Sequence, residues 1–327
     1  YYSILQNWTE SRYGYKIEPE WVVTTTGVVS ALKFSVLALT EERSKIMIFT
    51  PVYNPFYEVV STSGRELVES KLVFEEGKYK INFSEVEKRM QEGLAMIIFC
   101  NPHNPVGRVW SEEEILTLVG LAKKYKVLLL SDEIHCDLMI GGSKFTSLGR
   151  YFCDYEGIFK VFAPSKTFNL AGLKLANMII PNKNLREKVA SLIQDLHISP
   201  DLLAVSACKA AYRDAAYWVD LQNEHLTRQY RFLKAFLEKR IPEVKLAPLE
   251  GTYLAWADFR FLGLSSKELS ERLLHYGIQF NRGDVYGADY DGFLRINLAC
   301  SEKQLFRGLE ALENFVNDVY RNEKANL

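Results

Sequence analysis

Amide, carboxylate and amine side chains each follow an apolar run that is typical of a buried strand. The side chains are those of Asn101, Asn104, Asp132 and Lys166, and the runs end at Cys100, Ser131 and Phe162. Because the carboxyl ends of parallel strands meet at one edge of a sheet, we expect these side chains to converge there. A partly desolvated lysine amine forms Schiff bases, so Lys166 is the candidate nucleophile. For any single lysine the alternative is an ordinary loop residue in solvent.

A glycine before a predicted helix, and the separation of Asp132 from Lys166 in the sequence, add to this group of candidate site residues. Asp132 precedes Lys166 by 34 residues (166 − 132 = 34), and Gly27 stands directly before a predicted helix, Val28–Leu39. Helix N-termini offer free N–H groups and a partial positive charge, which bind phosphate. Pyridoxal phosphate needs such donors, a lysine for its aldehyde and a carboxylate that keeps its ring nitrogen protonated. The set therefore predicts this cofactor, and a helix cap without a ligand is the alternative at Gly27.

The elements that must position these side chains alternate along the first half of the chain. The predicted strands are residues 45–49, 66–71, 95–100, 127–131, 158–162 and 175–180. The predicted helices are residues 1–11, 28–39, 53–63, 84–92 and a segment that begins with a capping box at Ser111. Such alternation predicts an α/β fold in which helices sandwich a mainly parallel sheet.

The rest of the chain has a different pattern. Long helices are predicted at 183–198 and 202–240, and the second is too long to lack a kink or a domain crossing. A smaller α+β unit follows, with strands at 253–258, 278–280 and 293–298 and with helices from Ser265 and over 301–320. We therefore predict a large domain over residues 1–220 and a small C-terminal domain over residues 221–327.

The composition narrows the class of partner. Of 327 residues 40 are basic and 41 acidic, and the net charge of −1 argues against nucleic acid or an anionic membrane. We expect a small-molecule partner instead. Five scattered cysteines without a Cys-x-x-Cys pair argue against a disulfide framework and a metal site, and favour the cytoplasm. The chain lacks an initiating Met and begins like the inside of a helix, so we expect it to be truncated or trimmed.

Three ordered motifs resemble those of a known family. They are residues 101–107 (Asn-Pro-His-Asn-Pro-Val-Gly), 131–135 (Ser-Asp-Glu-Ile-His) and 165–172 (Ser-Lys-Thr-Phe-Asn-Leu-Ala-Gly). The chain resembles the fold-type I pyridoxal-phosphate enzymes of the class I/II aminotransferase superfamily, and most of all their MalY/PatB branch of cystathionine β-lyases. The resemblance extends over essentially the whole chain. It implies a fold-type I structure, pyridoxal phosphate as the cofactor, and a homodimer with its sites at the subunit interface.

The resemblance also implies roles for the side chains around the cofactor ring. Lys166 would carry the cofactor and act as the general base, and Asp132 would pair with the pyridine nitrogen. Asn104 would hydrogen-bond the phenolic oxygen, and Tyr53 would stack on the ring. Taken singly, Asp132 has an alternative as a turn cap and Tyr53 as a core residue.

Phosphate and substrate binding are implied in the same way. Gly27 and Val28 would donate backbone N–H groups to the phosphate. Arg295 would bind the α-carboxylate of the substrate, a task that suits a planar guanidinium with paired donors. Its alternative is a surface strand residue with an ion-pair partner.

The sequence departs from the pattern of many relatives at several positions. His135 stands where many have a tyrosine; it fits the β-lyase branch and would tune the cofactor oxygen, or is a structural histidine. Ala163 stands where many relatives have a phosphate-binding serine, and Ser165 would partly take over the role of that serine. Lys174 replaces an arginine, which keeps the charge but loses the two-pronged geometry. The N-terminal segment that supplies a tyrosine to the neighbouring subunit has no counterpart in the sequence.

Three hypotheses about function follow. The first is a carbon–sulfur β-lyase that cleaves L-cystathionine or a related cysteine S-conjugate to a thiol, pyruvate and ammonia. The second is an aminotransferase, which shares most of the same machinery. The third is a regulatory binding protein with little catalysis, suggested by the substituted phosphate ligands. A nicotinamide-dependent dehydrogenase is disfavoured because no Gly-x-Gly-x-x-Gly follows an early strand.

Overall fold

Within residues 1–325, which the computed structural model describes, a seven-stranded sheet forms the centre of the molecule. In spatial order its strands are β1 (Val22–Thr25), β9 (Ala176–Ile179), β8 (Ile158–Phe162), β7 (Leu128–Asp132), β6 (Leu94–Cys100), β2 (Lys45–Thr50) and β3 (Glu66–Lys71). Strands β8, β7, β6, β2 and β3 pair in parallel. Because β9 runs antiparallel to both of its neighbours, β1 points the same way as the parallel strands.

Helices cover both faces of this sheet. One face carries α1 (Tyr2–Tyr13), α4 (Phe83–Gln91), α5 (Glu112–Tyr125) and α8 (Leu202–Asp214). The opposite face carries α2 (Val28–Leu39), α3 (Pro55–Ser61) and α7 (Lys183–Asp195). A one-turn helix, α6 (Pro164–Thr167), lies between β8 and β9 in the chain. The predicted α/β sandwich with a mainly parallel sheet is confirmed.

A second sheet, antiparallel throughout, follows in the chain. Among the described residues its strands in spatial order are β10 (Lys245–Leu246), β11 (Leu254–Asp258), β13 (Phe293–Asn297) and β12 (Asn281–Arg282). It packs against α9 (Ala216–Arg240), α10 (Ser266–Leu274) and α11 (Glu302–Ala325). The short strand β10 and the hairpin of β4 (Val73–Glu75) and β5 (Lys78–Lys80) were not predicted, because two or three residues give no readable alternation.

The predicted interruption of the long helical stretch is found at Ala215, between α8 and α9. In α9, Val219 packs in the core of the central sheet, whereas Leu226 and Leu233 pack in the core of the second sheet. The helix therefore connects the two cores. The division of the chain into domains at residues 220 and 221 stays a prediction.

The strand predicted at residues 278–280 is wrong, because the pairing strand is β12 at Asn281–Arg282. Ile278 instead closes the C-terminal turn of α10, where its N–H donates to the carbonyl oxygen of Leu273 at 3.1 Å. Gly277 turns the chain there with a φ of +74°. The buried side chain of Ile278 is thus a helix-end contact.

The capping box predicted at Ser111 begins α5 as expected, and the helix predicted from Ser265 begins with the same motif. Ser111 and Ser265 each accept the N–H of the glutamate three residues later, and each glutamate side chain accepts the serine N–H in return. The predicted helix 53–63 is shorter in the structure, Pro55–Ser61, and this leaves Tyr53 in the loop after β2.

A fully buried ion pair lies beside the central sheet. Lys160 in β8 places Nζ 2.5 Å from Oε2 of Glu133 and 2.5 Å from the hydroxyl of Tyr15. Glu133 also accepts hydrogen bonds from Ser147 and from the N–H of Leu148. Burial opposes the charge of Lys160, but the adjacent carboxylate outweighs it and raises the pKa of the amine. The pair ties β8 to the segment that follows β7.

Several classes of feature are absent from the described part of the chain. Over residues 1–325 no helix is both long and apolar enough to cross a membrane. The same residues contain no group of three or more His, Cys, Asp or Glu side chains that could hold a metal ion. The five cysteines are free thiols.

Candidate active site

The side chains predicted to converge lie at the carboxyl edge of the central sheet. In the strand register Asp132, the last residue of β7, lies between Cys100 at the end of β6 and Val161 in β8. Strands β1 and β2 end at the same edge, because both point the same way as β6 to β8. Gly27 and Tyr53 therefore follow strand ends on this edge too. Parallel topology alone brings these segments together.

Asn101 does not take part in the convergence. Its Nδ2 donates to the carbonyl oxygen of Thr146 at 3.0 Å, and its Oδ1 accepts the N–H of Trp110 at 3.3 Å. These bonds hold the buried loop after β6 in place. Asn101 is therefore a structural residue, and Asn104 is the amide that remains at the site.

Lys166 lies in α6, four residues after the end of β8. Its side chain is half-buried, and within the described residues its amine has no hydrogen bond or ion pair. A cavity of about 570 Å³ opens beside it. The lining includes Ser165, Lys166, Trp218, His225, Tyr253 and Asn297. A free amine at the wall of a cavity is suited to act as a nucleophile or general base.

Asp132 is a carboxyl group buried at the end of β7. Burial raises its pKa to about 7; the nearby Glu133 charge adds to this, while the N–H of Ile134 and the Lys166 amine oppose it. The Ile134 N–H donates to Oδ1 at 3.0 Å. A positive charge placed against this carboxyl group would restore its ionised form, so a protonated ring nitrogen fits the position.

Arg295 in β13 reaches across to the loop after β6. Its Nη1 donates to Oδ1 of Asn104 at 2.9 Å, and its Nη2 donates to Oδ1 of Asn281 at 3.0 Å. Its Nε is buried and has no partner among residues 1–325, and its guanidinium lies 5.0 Å from the ring of Tyr286. Burial lowers the pKa of the guanidinium. The group is thus held in place by two of its five N–H donors, which leaves donors free for a carboxylate.

Sequence reasoning missed the residues that orient Arg295. Asn281 lies directly opposite Arg295 in the register of β12 and β13, so the misplaced strand at 278–280 concealed it. Tyr286 and Tyr253 are aromatic residues without a motif of their own, and no local signal distinguishes them from core residues.

Tyr53 is half-buried, and its N–H donates to the carbonyl oxygen of Asn104 at 3.1 Å.

A cradle for an anion lies at the N-terminus of α2. Gly27 has a φ of +117°, which L side chains rarely adopt, and no atom lies within 4 Å of the place where a Cβ would stand. The first N–H groups of α2, from Val28 onward, have no acceptor within the helix. The buried hydroxyl of Thr25, at the end of β1, also lacks a partner among the residues that the structure describes.

The substituted phosphate ligands lie near this cradle in the fold. Lys174 is exposed, has no partner among the described residues, and stands two residues before β9, whose first residue pairs with Thr25. Ser165 is half-buried on the cavity wall, and Ala163 is buried. Their roles toward a phosphate stay predictions.

His135 is buried in the same region with an unsatisfied nitrogen. Its Nδ1 has no hydrogen-bond partner in the described part of the chain, and its ring packs edge-on against Tyr253 at 5.6 Å. Burial, together with the positive charges of Lys166 and Arg295, lowers its pKa to about 3. A neutral imidazole with a free nitrogen is available to a polar ligand atom, and native structures rarely leave such a group unpaired.

His135 gives the cofactor-free chain a testable acid sensitivity. Between about pH 3 and 6.5 the folded chain keeps His135 neutral while the unfolded chain binds a proton, so stability falls as the pH drops. The variant His135→Gln removes this dependence. From pH 6.5 to pH 5, we expect the wild type to lose about 2 kcal/mol of unfolding free energy relative to the variant. Urea unfolding at both pH values measures this; parallel curves would contradict it.

The unpaired groups of this edge fit pyridoxal phosphate. The cradle at Gly27 has room and donors for the phosphate, and the buried carboxyl of Asp132 calls for a cation such as the ring nitrogen. The free amine of Lys166 is suited to the aldehyde, and Nδ2 of Asn104 and Nδ1 of His135 remain for polar atoms of the ring. These needs match the donor set that the cofactor requires.

Comparison with known proteins identifies the class. Residues 4–312 match the family described as aminotransferase class I and II, and the chain belongs to this family. It is 37% identical to the cystathionine β-lyase PatB of Bacillus subtilis over 94% of this chain and 80% of that protein. These findings confirm the predicted family and its MalY/PatB branch.

Solved structures agree. Cystalysin from Treponema denticola, which contains a pyridoxal 5'-phosphate cofactor, has a TM-score of 0.93 and 34% identity over 97% of this chain and 82% of that one. The C–S lyase from Staphylococcus hominis with pyridoxal phosphate bound has a TM-score of 0.90 and 32% identity over 97% and 83%. The chain is therefore a pyridoxal-phosphate-dependent enzyme of fold type I.

Proposed function

We propose that this chain is a pyridoxal-phosphate-dependent carbon–sulfur β-lyase that acts on L-cystathionine or a related cysteine S-conjugate. The products would be a thiol, pyruvate and ammonia. The observation that carries the proposal is the free amine of Lys166 at the same sheet edge as the buried carboxyl of Asp132, in a chain whose relatives include cystathionine β-lyases and C–S lyases.

The side chains divide the work of such an elimination. Arg295 binds the α-carboxylate of the substrate and so fixes the α-carbon near Lys166. The amine of Lys166 takes the α-proton, after which the thiolate departs from the β-carbon. Pyridoxal phosphate, when bound, supplies an electron sink for the charge left at the α-carbon. Asp132 keeps the ring nitrogen protonated.

The proposed role of Asp132 predicts opposite effects on activity and stability. Asp132→Asn should lower kcat/KM for elimination roughly 10²-fold, because a preorganised charge is lost. In the cofactor-free chain the wild-type carboxyl, with a pKa of about 7, loses its proton as the pH rises, and burial then disfavours the charged form. The variant should therefore be the more stable protein at pH 8 and approach the wild type near pH 4.

Steady-state kinetics and urea unfolding at pH 4 and pH 8 measure these two effects. The exposed Asp154 provides a control, since Asp154→Asn should change neither activity nor the pH dependence of stability. Full activity of the Asp132 variant would contradict the role assigned to the carboxylate.

Aminotransfer is the second candidate, because the family that the chain belongs to is named for that reaction. The two reactions are separated by their products. With L-cystathionine and pyridoxal phosphate, the lyase releases thiol and pyruvate in equal amounts and leaves the cofactor unchanged. Conversion of the cofactor to pyridoxamine phosphate without thiol release would favour the aminotransferase and contradict the lyase.

We also propose a homodimer. Leu202 and Leu203 at the start of α8 are 82% and 73% exposed, and contiguous exposed apolar side chains mark contact surfaces. Sedimentation of the cofactor-bound protein tests this, and the mass of a single chain would contradict it.

We place the protein in the cytoplasm, since its cysteines are free thiols. Its recovery outside the cytoplasm of cells that make it would contradict that placement.

A further inference from the structure

The turn that carries Lys166 is held by its neighbour in the chain. Thr167 is fully buried, and its Oγ1 donates a hydrogen bond to Oδ2 of Asp137 at 2.8 Å. The carbonyl oxygen of the same threonine accepts a hydrogen bond from Nε1 of Trp218 at 2.9 Å. Lys166 itself has no hydrogen-bond or ion-pair partner within residues 1–325, so the backbone that positions its amine is fixed one residue further on.

Asp137 links this turn to the first helix. Its carboxylate is buried, and its Oδ1 accepts hydrogen bonds from Nε1 of Trp8 at 3.2 Å and from the hydroxyl of Tyr13. Its backbone carbonyl accepts Nδ2 of Asn223 at 2.9 Å. All three donors to the carboxylate are neutral groups of α1 and α6. The carboxylate is therefore fixed on both oxygens.

Aromatic contacts around this carboxylate also connect α1 to the segment that carries Lys166. Trp8 packs 5.9 Å from the ring of Phe168, and both rings pack against Tyr212 at 4.9 and 5.5 Å. Phe168 follows Thr167 directly, so two successive residues after Lys166 are anchored, one by a hydrogen bond and one by aromatic packing.

Holding a helix in place with a buried carboxylate that has only neutral donors carries a large desolvation free energy. Burial raises the pKa of Asp137, although hydrogen bonds from Tyr13 and Thr167 oppose the rise. An apolar side chain would pack α1 with no such cost. The carboxylate instead fixes the orientation of α6, because the Thr167 hydroxyl can reach Oδ2 of Asp137 from one position only.

We propose that Asp137 and Thr167 are positioning residues for Lys166, through which the buried carboxylate fixes the turn from which the amine reaches the α-proton of the substrate. The inference rests on the proposed function, since it takes Lys166 to be the base. A displacement of a reacting group by about 1 Å costs up to roughly 10²-fold in rate. The hydroxyl of Thr167 thus affects turnover without touching the substrate.

The variant Thr167→Val tests this, because it removes the hydroxyl and keeps the shape. In the cofactor-loaded protein we expect kcat for elimination from L-cystathionine to fall roughly tenfold, with KM within about twofold of the wild type. Amide hydrogen exchange of residues 164–170 should become faster. Thr167→Ser, which restores the hydroxyl, should recover both. Thr117→Val, which removes an exposed hydroxyl bonded to Glu113 on α5, should change neither.

A second variant asks whether the two residues act as one unit. Asp137→Leu removes both acceptor oxygens at a similar side-chain size, and we expect it to lower kcat at least as far as Thr167→Val does. The double variant should then lose no more than the larger single loss, since the hydrogen bond between Asp137 and Thr167 can be lost only once. Losses that multiply would overturn the proposal.

Other outcomes of these experiments would also overturn the positioning role, or separate it from the proposed function. An unchanged kcat in Thr167→Val, or a serine variant as impaired as the valine variant, would overturn the positioning role. If the wild type releases no thiol, the proposed function fails. In that case hydrogen exchange at residues 164–170, and its recovery by serine, still decides whether Asp137 and Thr167 fix the turn.

Discussion

Replacement of Lys166 by alanine is expected to lower kcat/KM for elimination roughly 10⁴-fold, while the chain stays folded. The amine is the only group that the proposed mechanism gives to the α-proton. It has no hydrogen bond or ion pair among the described residues, so its removal breaks no contact that stabilises the fold. We therefore expect the unfolding free energy of the cofactor-free variant to stay within about 1 kcal/mol of the wild type.

Pyruvate release from L-cystathionine and urea unfolding of the cofactor-free chain measure the two halves of this prediction. Lys188, an exposed lysine in α7, provides the matched control, and Lys188→Ala should leave both quantities unchanged. Substantial turnover by the Lys166 variant would refute its role as the base. A large loss of stability would show that the lysine supports the fold instead.

The variant Lys160→Met should produce the largest loss of stability, about 3–5 kcal/mol. It leaves the carboxylate of Glu133 fully buried without the ammonium group that lies 2.5 Å away in the wild type. The hydroxyl of Tyr15 loses its partner as well. A thioether of similar length fills the space but cannot neutralise the charge.

Urea unfolding of the cofactor-free chain gives the value, and two further variants make it specific. Lys183→Met removes an exposed ion pair with Glu187 at 3.7 Å, and no measurable loss is expected. Adding Glu133→Gln to Lys160→Met should recover part of the loss, because the amide is neutral and keeps an acceptor for Ser147. A loss below about 1 kcal/mol for Lys160→Met would show that water reaches the carboxylate.

Local patterns in the sequence were sufficient for six of the seven strands of the central sheet and for the edge that carries the site, whereas β1 was not predicted. Apolar runs before Asn104, Asp132 and Lys166 identify three strands, and right-handed parallel topology places their ends together. Gly27 was recognisable because a glycine before a helical pattern indicates a helix start. In each case a short stretch of sequence specifies both the element and its position in the sheet.

What sequence could not supply depends on contacts between distant segments. Asn281 meets Arg295 only through the register of two short strands, and two residues carry no alternation that would fix a register. The link from Asp137 to Thr167 joins residues 30 apart in the chain, the first on a turn and the second at the end of α6. The partner of Lys160 is likewise visible only once β7 and β8 are placed side by side. Buried polar networks follow from tertiary packing, which local propensity does not encode.

The most direct test of the central claim is to find which residue carries the cofactor. The protein is loaded with pyridoxal phosphate, reduced with borohydride, digested and examined by mass spectrometry. The structure predicts one reduced pyridoxyl group for each chain, attached to Lys166. A group attached to another lysine, or none after reduction, would contradict the assignment of this sheet edge as the active site.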